Sequence, residues 1–571
     1  MPSTTLVRRA LRKISLPEEQ ESNRWSNEDI RPVPPERQRW GWLQFVELWF
    51  CINLNMSSYQ TGAALLASGL TFWQAILVIV FGNAMATGFA VLNSVSGAQS
   101  HLGFPIVSRS VWGMYGAYFP VLNRILTSVV WYGVQAVIGG NMIWICLRSI
   151  WMDIDERIPN TLPANIGITS SKFVGYVLFN ILCAIFIWFR PQQLRPYFHF
   201  ASVLVFLTLF IFLGWAVGTS QGYGSVFDSK STMASEELAW KMVAGMMSVI
   251  GSISSGILNQ NDFTRFAKKP SHVTWSQAGS FMTSSCTVAI IGVVCTAATQ
   301  QQYGDGTPLW NPADLFAKIQ DTHGSRGRAA AFFLGIVFIF SQLSINVVGN
   351  VLAGGLDVAS VFPKYINLRR GAYILAILSV APNPWQQLAY PGTFLSVLSA
   401  YAVFLGPMIG LLCVHFWIIQ HRSFNVPDLY EGSSRSLYWY KWGTNWRTVV
   451  AWTLAIIPSM PGFVGSVNKN VQLGSGANRV FSLSFLLGFT LAAIFAYLFN
   501  WIWPYPYPTH TILLDGSDAS RTGEDADGAE KGLPHVTATE TGSNSVSDME
   551  EVHHDVHGDD QKRVEGAFAK V

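Results

Sequence analysis

The sequence predicts an all-α polytopic membrane protein with about twelve transmembrane helices. Of its 571 residues, 50% are hydrophobic and only 12% are charged, against about 25% charged in soluble domains. Apolar runs of about 20 residues, enough to cross a bilayer, recur along most of the chain. Charge is also segregated: beyond Tyr505 there are 14 acidic and 5 basic residues, so the formal total of +3 hides a −9 tail and a +12 remainder.

Spans are predicted at 43–67, 72–93, 119–148, 173–189, 198–218, 238–259, 279–299, 330–356, 369–382, 393–419, 447–464 and 480–503. The organisation that follows is a polar N-terminal segment (1–41), a twelve-helix body (42–504) and an acidic tail (505–571). The tail is poor in apolar residues and too polar to bury a core, so it is expected to be disordered. No hydrophobic segment lies near Met1, so the first span itself is expected to direct insertion. Loops holding Arg190 and Arg195, Arg265, Lys268 and Lys269, Lys364, Arg369 and Arg370, and Arg422, Arg435, Lys441 and Arg447 would share one side. The positive-inside rule makes that side cytoplasmic and places both termini there. The opposite loops hold Asp153, Asp155 and Glu156, and Asp228, Glu236 and Glu237. Most of the 22 tryptophans sit near span ends, as an interfacial belt would. The six cysteines show no disulfide or metal spacing, and HHDVH in the tail is read as incidental.

Backbone exposed inside a bilayer must line a protein or water cavity. The first span reads CINLNMSSYQTG, with Asn53, Asn55, Ser57, Ser58 and Gln60 interrupting it; the sixth reads GSISSGILNQND, with Gly251, Ser252, Ser254, Ser255, Gly256 and Asn259. Interruptions at spans one and six match a five-plus-five inverted-repeat transporter; close helix packing by small residues is the alternative. In the third span, Trp131 and Gln135 lie four residues apart on one helix face. Together they would stack and hydrogen-bond a flat amide-bearing heterocycle, or else face headgroups and a neighbouring helix. Ser341, Ser344, Asn346 and Asn350 crowd the eighth span, for interhelical bonds or a pathway. Glu47 reads either as a proton-coupling carboxylate or as an interface carboxylate paired with a basic loop. His415 and Lys241 read as packing and interface residues. The intramembrane polar groups form no nucleophile–base pair and no metal-ligand set, and no Gly-rich phosphate loop is present, so an enzyme is not expected.

Four motifs are specific. NRWSNEDIRPVPPERQRW precedes span one, NQNDFTRFAKKP follows span six, FPKYINLRRGAY follows span eight, and NVPDLYEG with PSMPGF lies near spans ten and eleven. With these the chain, from about Asn23 to Trp503, resembles the nucleobase-cation-symport permeases. The match is to the fungal Fur-type branch of uracil, allantoin and uridine permeases, whose relatives also carry thiamine or nicotinamide riboside. The resemblance implies a LeuT-like five-plus-five repeat plus two helices, working by rocking-bundle alternating access. It implies that Trp131 stacks on the substrate, that Gln135 hydrogen-bonds it and that Asn350 completes the clamp; the polarity of the spans themselves adds Asn346, Ser57, Ser252 and Ser254 as further candidates. Asn27 and Asp29 would act as a cytoplasmic lid, and Phe394, Leu395 and Leu398 as an outer gate. Ser344 keeps a hydroxyl of the span-eight ion site of a sodium-coupled bacterial relative, with Ser341 as a further coupling candidate, but the residue after Ser344 is Ile345, not a hydroxyl. Fewer oxygens weaken a hard-cation site, which favours proton over sodium coupling. Ile253 stands where a sodium-coupled bacterial relative has Trp, and Asn261 replaces the usual Pro of the tetrad after span six.

The expected function is proton-coupled import of a small planar heterocycle of the uracil, allantoin or uridine type across the plasma membrane, with no cofactor. Thiamine or nicotinamide riboside is the alternative cargo, and a non-transporting ligand sensor a remote one. Lys531, Lys562 and Lys570 in the tail would be open to ubiquitin ligases.

Overall fold

The computed structural model describes residues 24–189, 193–220, 231, 233–468, 471 and 473–507. Arg190, Asp228, HHDVH and the tail lysines lie outside the described residues, as does the side chain of Arg195. The described chain is helical, with two isolated β-bridges, Trp40 with Ala267 and Lys441 with Thr444.

The first predicted span is a broken pair, α1 (Trp42–Asn53) and α2 (Met56–Ala67). The break is chemical. Asn55 adopts an extended conformation and its side chain accepts the Ser58 N–H, so it ends one helix and caps the next. The long helices that follow are α3 (Phe72–Ser100), α5 (Tyr118–Ile150), α6 (Ser170–Trp188) and α7 (Arg195–Thr219), with the nine-residue α4 (Phe104–Trp112) between the first two. The second half brings α8 (Ser235–Leu258), the short α9 (Gln260–Thr264), α10 (Pro270–Gly304), α11 (Pro312–Ile345), a π-helical stretch Asn346–Leu352 and α12 (Ala353–Val361). It closes with α13 (Leu368–Leu378), α14 (Pro391–Val414), α15 (Trp446–Ile456) and α16 (Ser484–Ile502). Ten helices among the described residues are long and apolar enough to cross a membrane. The predicted first and ninth spans are present as the broken pair and the eleven-residue α13.

Packing sorts these helices into two groups. α10 lies against α1, α2 and α3, and α8 against α3; α5 packs on α6 and α11, and α13 on α12. Spans one, two, six and seven thus form a bundle, and spans three, four, eight and nine a scaffold. Small residues set the approach within the bundle. A Cβ on Gly62 would lie 2.0 Å from the Ala289 carbonyl oxygen, and one on Gly292 would lie 2.2 Å from that of Tyr59, so neither helix tolerates a side chain there.

Two features depart from the sequence expectation. Of the residues expected to interrupt the sixth span, Gly251–Gly256 stay helical and the break falls at the last of them, Asn259 (φ −98°, ψ 23°). The Ser252 and Ser254 hydroxyls donate back to the Val249 and Gly251 carbonyls, absorbing their polarity within the helix. Gly251 serves close approach instead, since a Cβ there would sit 2.1 Å from the Leu398 carbonyl oxygen. The second feature is a helical turn region before span eight, capped by Asn311 with Pro312 at its first position, that joins the span across Gly324. At φ 53° and ψ −131° this residue is in a region that glycine enters freely.

One face of the bundle carries the N-terminal segment. Trp40 pairs through its backbone with Phe266 and Lys268, and the Asn27 amide donates to the Pro363 carbonyl. The Asp29 carboxylate accepts the Leu368 N–H at the start of α13, while Arg265 donates to the Asp29 carbonyl. Burial pushes the Asp29 carboxyl above its ordinary range, against the pull of the Leu368 N–H and Arg265. Arg109 ties Trp25 to Leu429, and the Tyr430 hydroxyl donates to the Ile30 carbonyl. The basic loops after spans six, eight and ten therefore meet the N-terminal segment on one face.

Candidate functional site

Both helix breaks open onto one cavity of about 90 Å³. Its wall takes Asn53, Asn55, Ser57 and Ser58 from the first break, Ser252, Ile253 and Gly256 from α8, and Asn259 and Gln260 from the second break. α5 contributes Arg124, Trp131 and Gln135, and the π-helical stretch contributes Gly349 and Asn350.

Trp131 and Gln135 share this wall, as their four-residue spacing requires. The Gln135 amide donates to the Ser57 hydroxyl (2.8 Å), which donates to the Asn55 side-chain oxygen (2.6 Å). Asn350 lines the cavity and donates to the Asn346 side-chain oxygen at 3.1 Å. Asn346 stands behind it, fully buried, with its own amide toward the Tyr132 carbonyl at 3.4 Å. Ser254 also lies off the wall, its hydroxyl turned into its own helix. Candidates Ser57 and Ser252 line the cavity; Asn346 and Ser254 do not.

The coupling candidates lie elsewhere. Glu47 faces His199 of α7 at 3.6 Å, its side chain 29% exposed, and is not among the lining residues. The Ser341 hydroxyl donates to the Leu54 carbonyl in the first break at 2.6 Å, and that of Ser344 to the Phe340 carbonyl. Ile345 presents hydrocarbon to the cavity. On the gate segment, Phe394 and Leu398 are buried, Phe394 against Trp310 (ring centroids 5.8 Å apart), and the Leu395 carbonyl accepts from Ser248 of α8. Asn27 and Asp29 dock on the face of the N-terminal segment, as above. Asn261, in place of the usual proline, accepts from the Ser96 hydroxyl and the Gly97 N–H, locking α9 to α3.

Sequence reading missed a buried ion pair. Arg124 reaches Asp357 of α12 at 2.9 Å, with both side chains at most 2% exposed, and also donates to the Ser128 hydroxyl. The signal was present, since Arg124 falls inside the third predicted span, where an unpaired cation is costly.

Comparison with known proteins places the family and the fold. The family model for permeases for cytosine/purines, uracil, thiamine and allantoin matches residues 32–488. The uridine permease of Saccharomyces cerevisiae is 34% identical over 82% of this chain and 73% of its own length. The allantoin permease of the same yeast is 32% identical over 84% and 76%. Transporter aclS of Aspergillus oryzae is 30% identical over 89% and 92%. Among solved structures, the nucleobase-cation-symport-1 transporter Mhp1, closed with bromovinylhydantoin bound, superposes with a TM-score of 0.66 at 18% identity. That superposition covers 84% of this chain and 97% of Mhp1, and shows the LeuT-like fold. The relatives are transporters and not enzymes, and this chain, a multi-pass membrane transporter, belongs to the family of permeases for cytosine/purines, uracil, thiamine and allantoin.

Proposed function

We propose that the protein imports a small, planar, uncharged heterocycle of the uracil, allantoin or uridine type with protons, by alternating access of the bundle against the scaffold. One observation carries the reading: a tryptophan ring and two side-chain amides, Trp131, Gln135 and Asn350, line one cavity where both broken spans meet. At about 90 Å³ the cavity is several times the roughly 10–15 Å³ that one water needs, so it has room for a small ring. Among the described residues no carboxylate lines the wall. A vitamin cation such as thiamine or nicotinamide riboside would lack a counter-charge there, which favours neutral cargo. Uptake of labelled heterocycles in a permease-null host tests this. Accumulation of a pyrimidine, purine or hydantoin that collapses with a proton uncoupler supports it; accumulation of none, or uncoupler-insensitive accumulation, contradicts it. Binding without counterflow in proteoliposomes would instead indicate a sensor.

Proton coupling is favoured over sodium because Ile345, next to Ser344, supplies no oxygen to a hard-cation site that needs several. Glu47, with His199 beside it, is our candidate proton carrier. Glu47→Gln is expected to abolish uptake driven by an imposed pH gradient; unchanged proton dependence removes Glu47 from the mechanism.

We infer that the face bearing the N-terminal segment and the basic loops is cytoplasmic at the plasma membrane, with Asn27 and Asp29 as its lid and Phe394, Leu395 and Leu398 gating the opposite side. The positive-inside rule supports this orientation. The same reading keeps 1–41 and 505–571 as cytoplasmic segments flanking the body, and the tail lysines as ubiquitin acceptors. Replacing Lys531, Lys562 and Lys570 with Arg is expected to slow turnover, and unchanged turnover would contradict that role.

A further inference from the structure

Four of the amides on the cavity wall, Gln135, Asn350, Asn259 and Gln260, give their NH₂ to the protein and keep their oxygen unpaired among the described residues, whereas the Asn83 oxygen is taken by the Ser285 hydroxyl. The Ser58 N–H can only donate, so the group of Asn55 facing it is the side-chain oxygen. The Ser57 hydroxyl meets that oxygen and must donate to it, which commits its single proton. Ser57 therefore offers Gln135 only a lone pair, and Gln135 must present its NH₂. The Gln135 Oε1 is left buried without a hydrogen-bond partner among the described residues. A second chain of contacts starts from the Tyr132 carbonyl, which can only accept. It draws the Asn346 NH₂, so Asn346 turns its oxygen to Asn350 and takes the Asn350 NH₂, leaving the Asn350 oxygen for the cavity. Two more lining amides repeat the pattern. Asn259 gives its NH₂ to the Asp262 carboxylate and Gln260 to the Gly256 carbonyl, and the oxygen of each is buried and unpartnered among the described residues.

We propose that Asn55, Ser57 and Asn346 are positioning residues that lock Gln135 and Asn350 with their oxygens toward the cavity, so that the clamp selects heterocycles whose ring edge presents N–H donors. A buried acceptor without a donor is costly. A urea, imide or lactam edge supplies that donor, whereas an N-methylated ring leaves the oxygens unpaired and is rejected. This rests on the heterocycle-transport reading and refines it by naming the edge chemistry that is read. It also gives Asn346 and Ser57 a role that needs no direct substrate contact.

The test is competition on the full-length protein, with uracil, 5-methyluracil, 3-methyluracil and 1,3-dimethyluracil as probes, and hydantoin as a second ring. The expected result is at least a tenfold weaker inhibition constant for 1,3-dimethyluracil than for uracil, with 5-methyluracil close to uracil. In Ser57→Ala the Gln135 amide is free to rotate, and the uracil to dimethyluracil ratio should contract toward one. Ser57→Thr, which keeps the hydroxyl, should restore it. Should Ser57→Ala not yield folded protein, Ser57→Cys reads the same ratio. Equal competition by uracil and dimethyluracil, an equal loss with 5-methyluracil, or a wild-type ratio in the Ser57→Ala variant would each overturn the proposal while leaving heterocycle transport standing. Failure of every ring to compete, together with no accumulation of any labelled pyrimidine, purine or hydantoin, would overturn the transport reading itself.

Discussion

Trp131→Ala is expected to abolish uptake while the protein still reaches the membrane. The indole forms part of the cavity wall and is 9% exposed. Stacking of a flat base on an aromatic ring contributes about 1–3 kcal/mol, so its loss should weaken binding by roughly 5- to 150-fold. Trp131→Phe retains a smaller face and should fall between. Because Trp131 also packs in a core with Val134 and Ile138, the readout must separate folding from affinity. Fluorescence microscopy of a tagged variant gives the membrane level and labelled uptake gives the activity. Asn350→Ala should behave alike, and normal uptake by both would refute the pocket assignment.

Breaking the Arg124–Asp357 pair is the second large effect. Removing one partner of a buried ion pair strands the other charge, at about 3–5 kcal/mol, a large share of the roughly 5–15 kcal/mol that holds a typical domain together. Asp357→Leu and Arg124→Leu are each expected to lower the unfolding temperature of purified protein sharply and to deplete it from the membrane. The double variant, which buries no charge, should recover most of the loss. If the two single losses simply add in the double variant, the pair is not coupled and the contact is incidental. Arg124 also lines the cavity, so the recovered double variant is expected to be folded yet slow in transport.

How much of this was legible depended on whether polarity in the sequence was used locally or across the molecule. The first break was legible because Asn53, Asn55 and Ser57 bring more amide and hydroxyl groups than a helix can absorb, and the Asn55 cap ends the helix there. In the sixth span only Asn259 of the expected residues breaks the helix, because Ser252 and Ser254 satisfy themselves within their own turn, while Gly251 serves a neighbour's backbone. Trp131 and Gln135 were legible as a pair because helical spacing alone puts them on one face. Asn346 and Asn350 have the same spacing, yet the π-helical stretch leaves one on the wall and one behind it. Arg124 and Asp357 were illegible as partners because nothing local joins residues 233 positions apart. The helical region before Gly324 escaped notice because it is too polar to register as a span and too short to show a period.

Trp131, Gln135 and Asn350 are proposed to form the substrate site. A structure of the protein with a transported heterocycle bound tests it most directly. The ring is predicted to stack on the Trp131 indole with N–H groups on the oxygens of Gln135 and Asn350. A ligand seated elsewhere, or one that places only acceptor atoms against those two amides, would contradict the account.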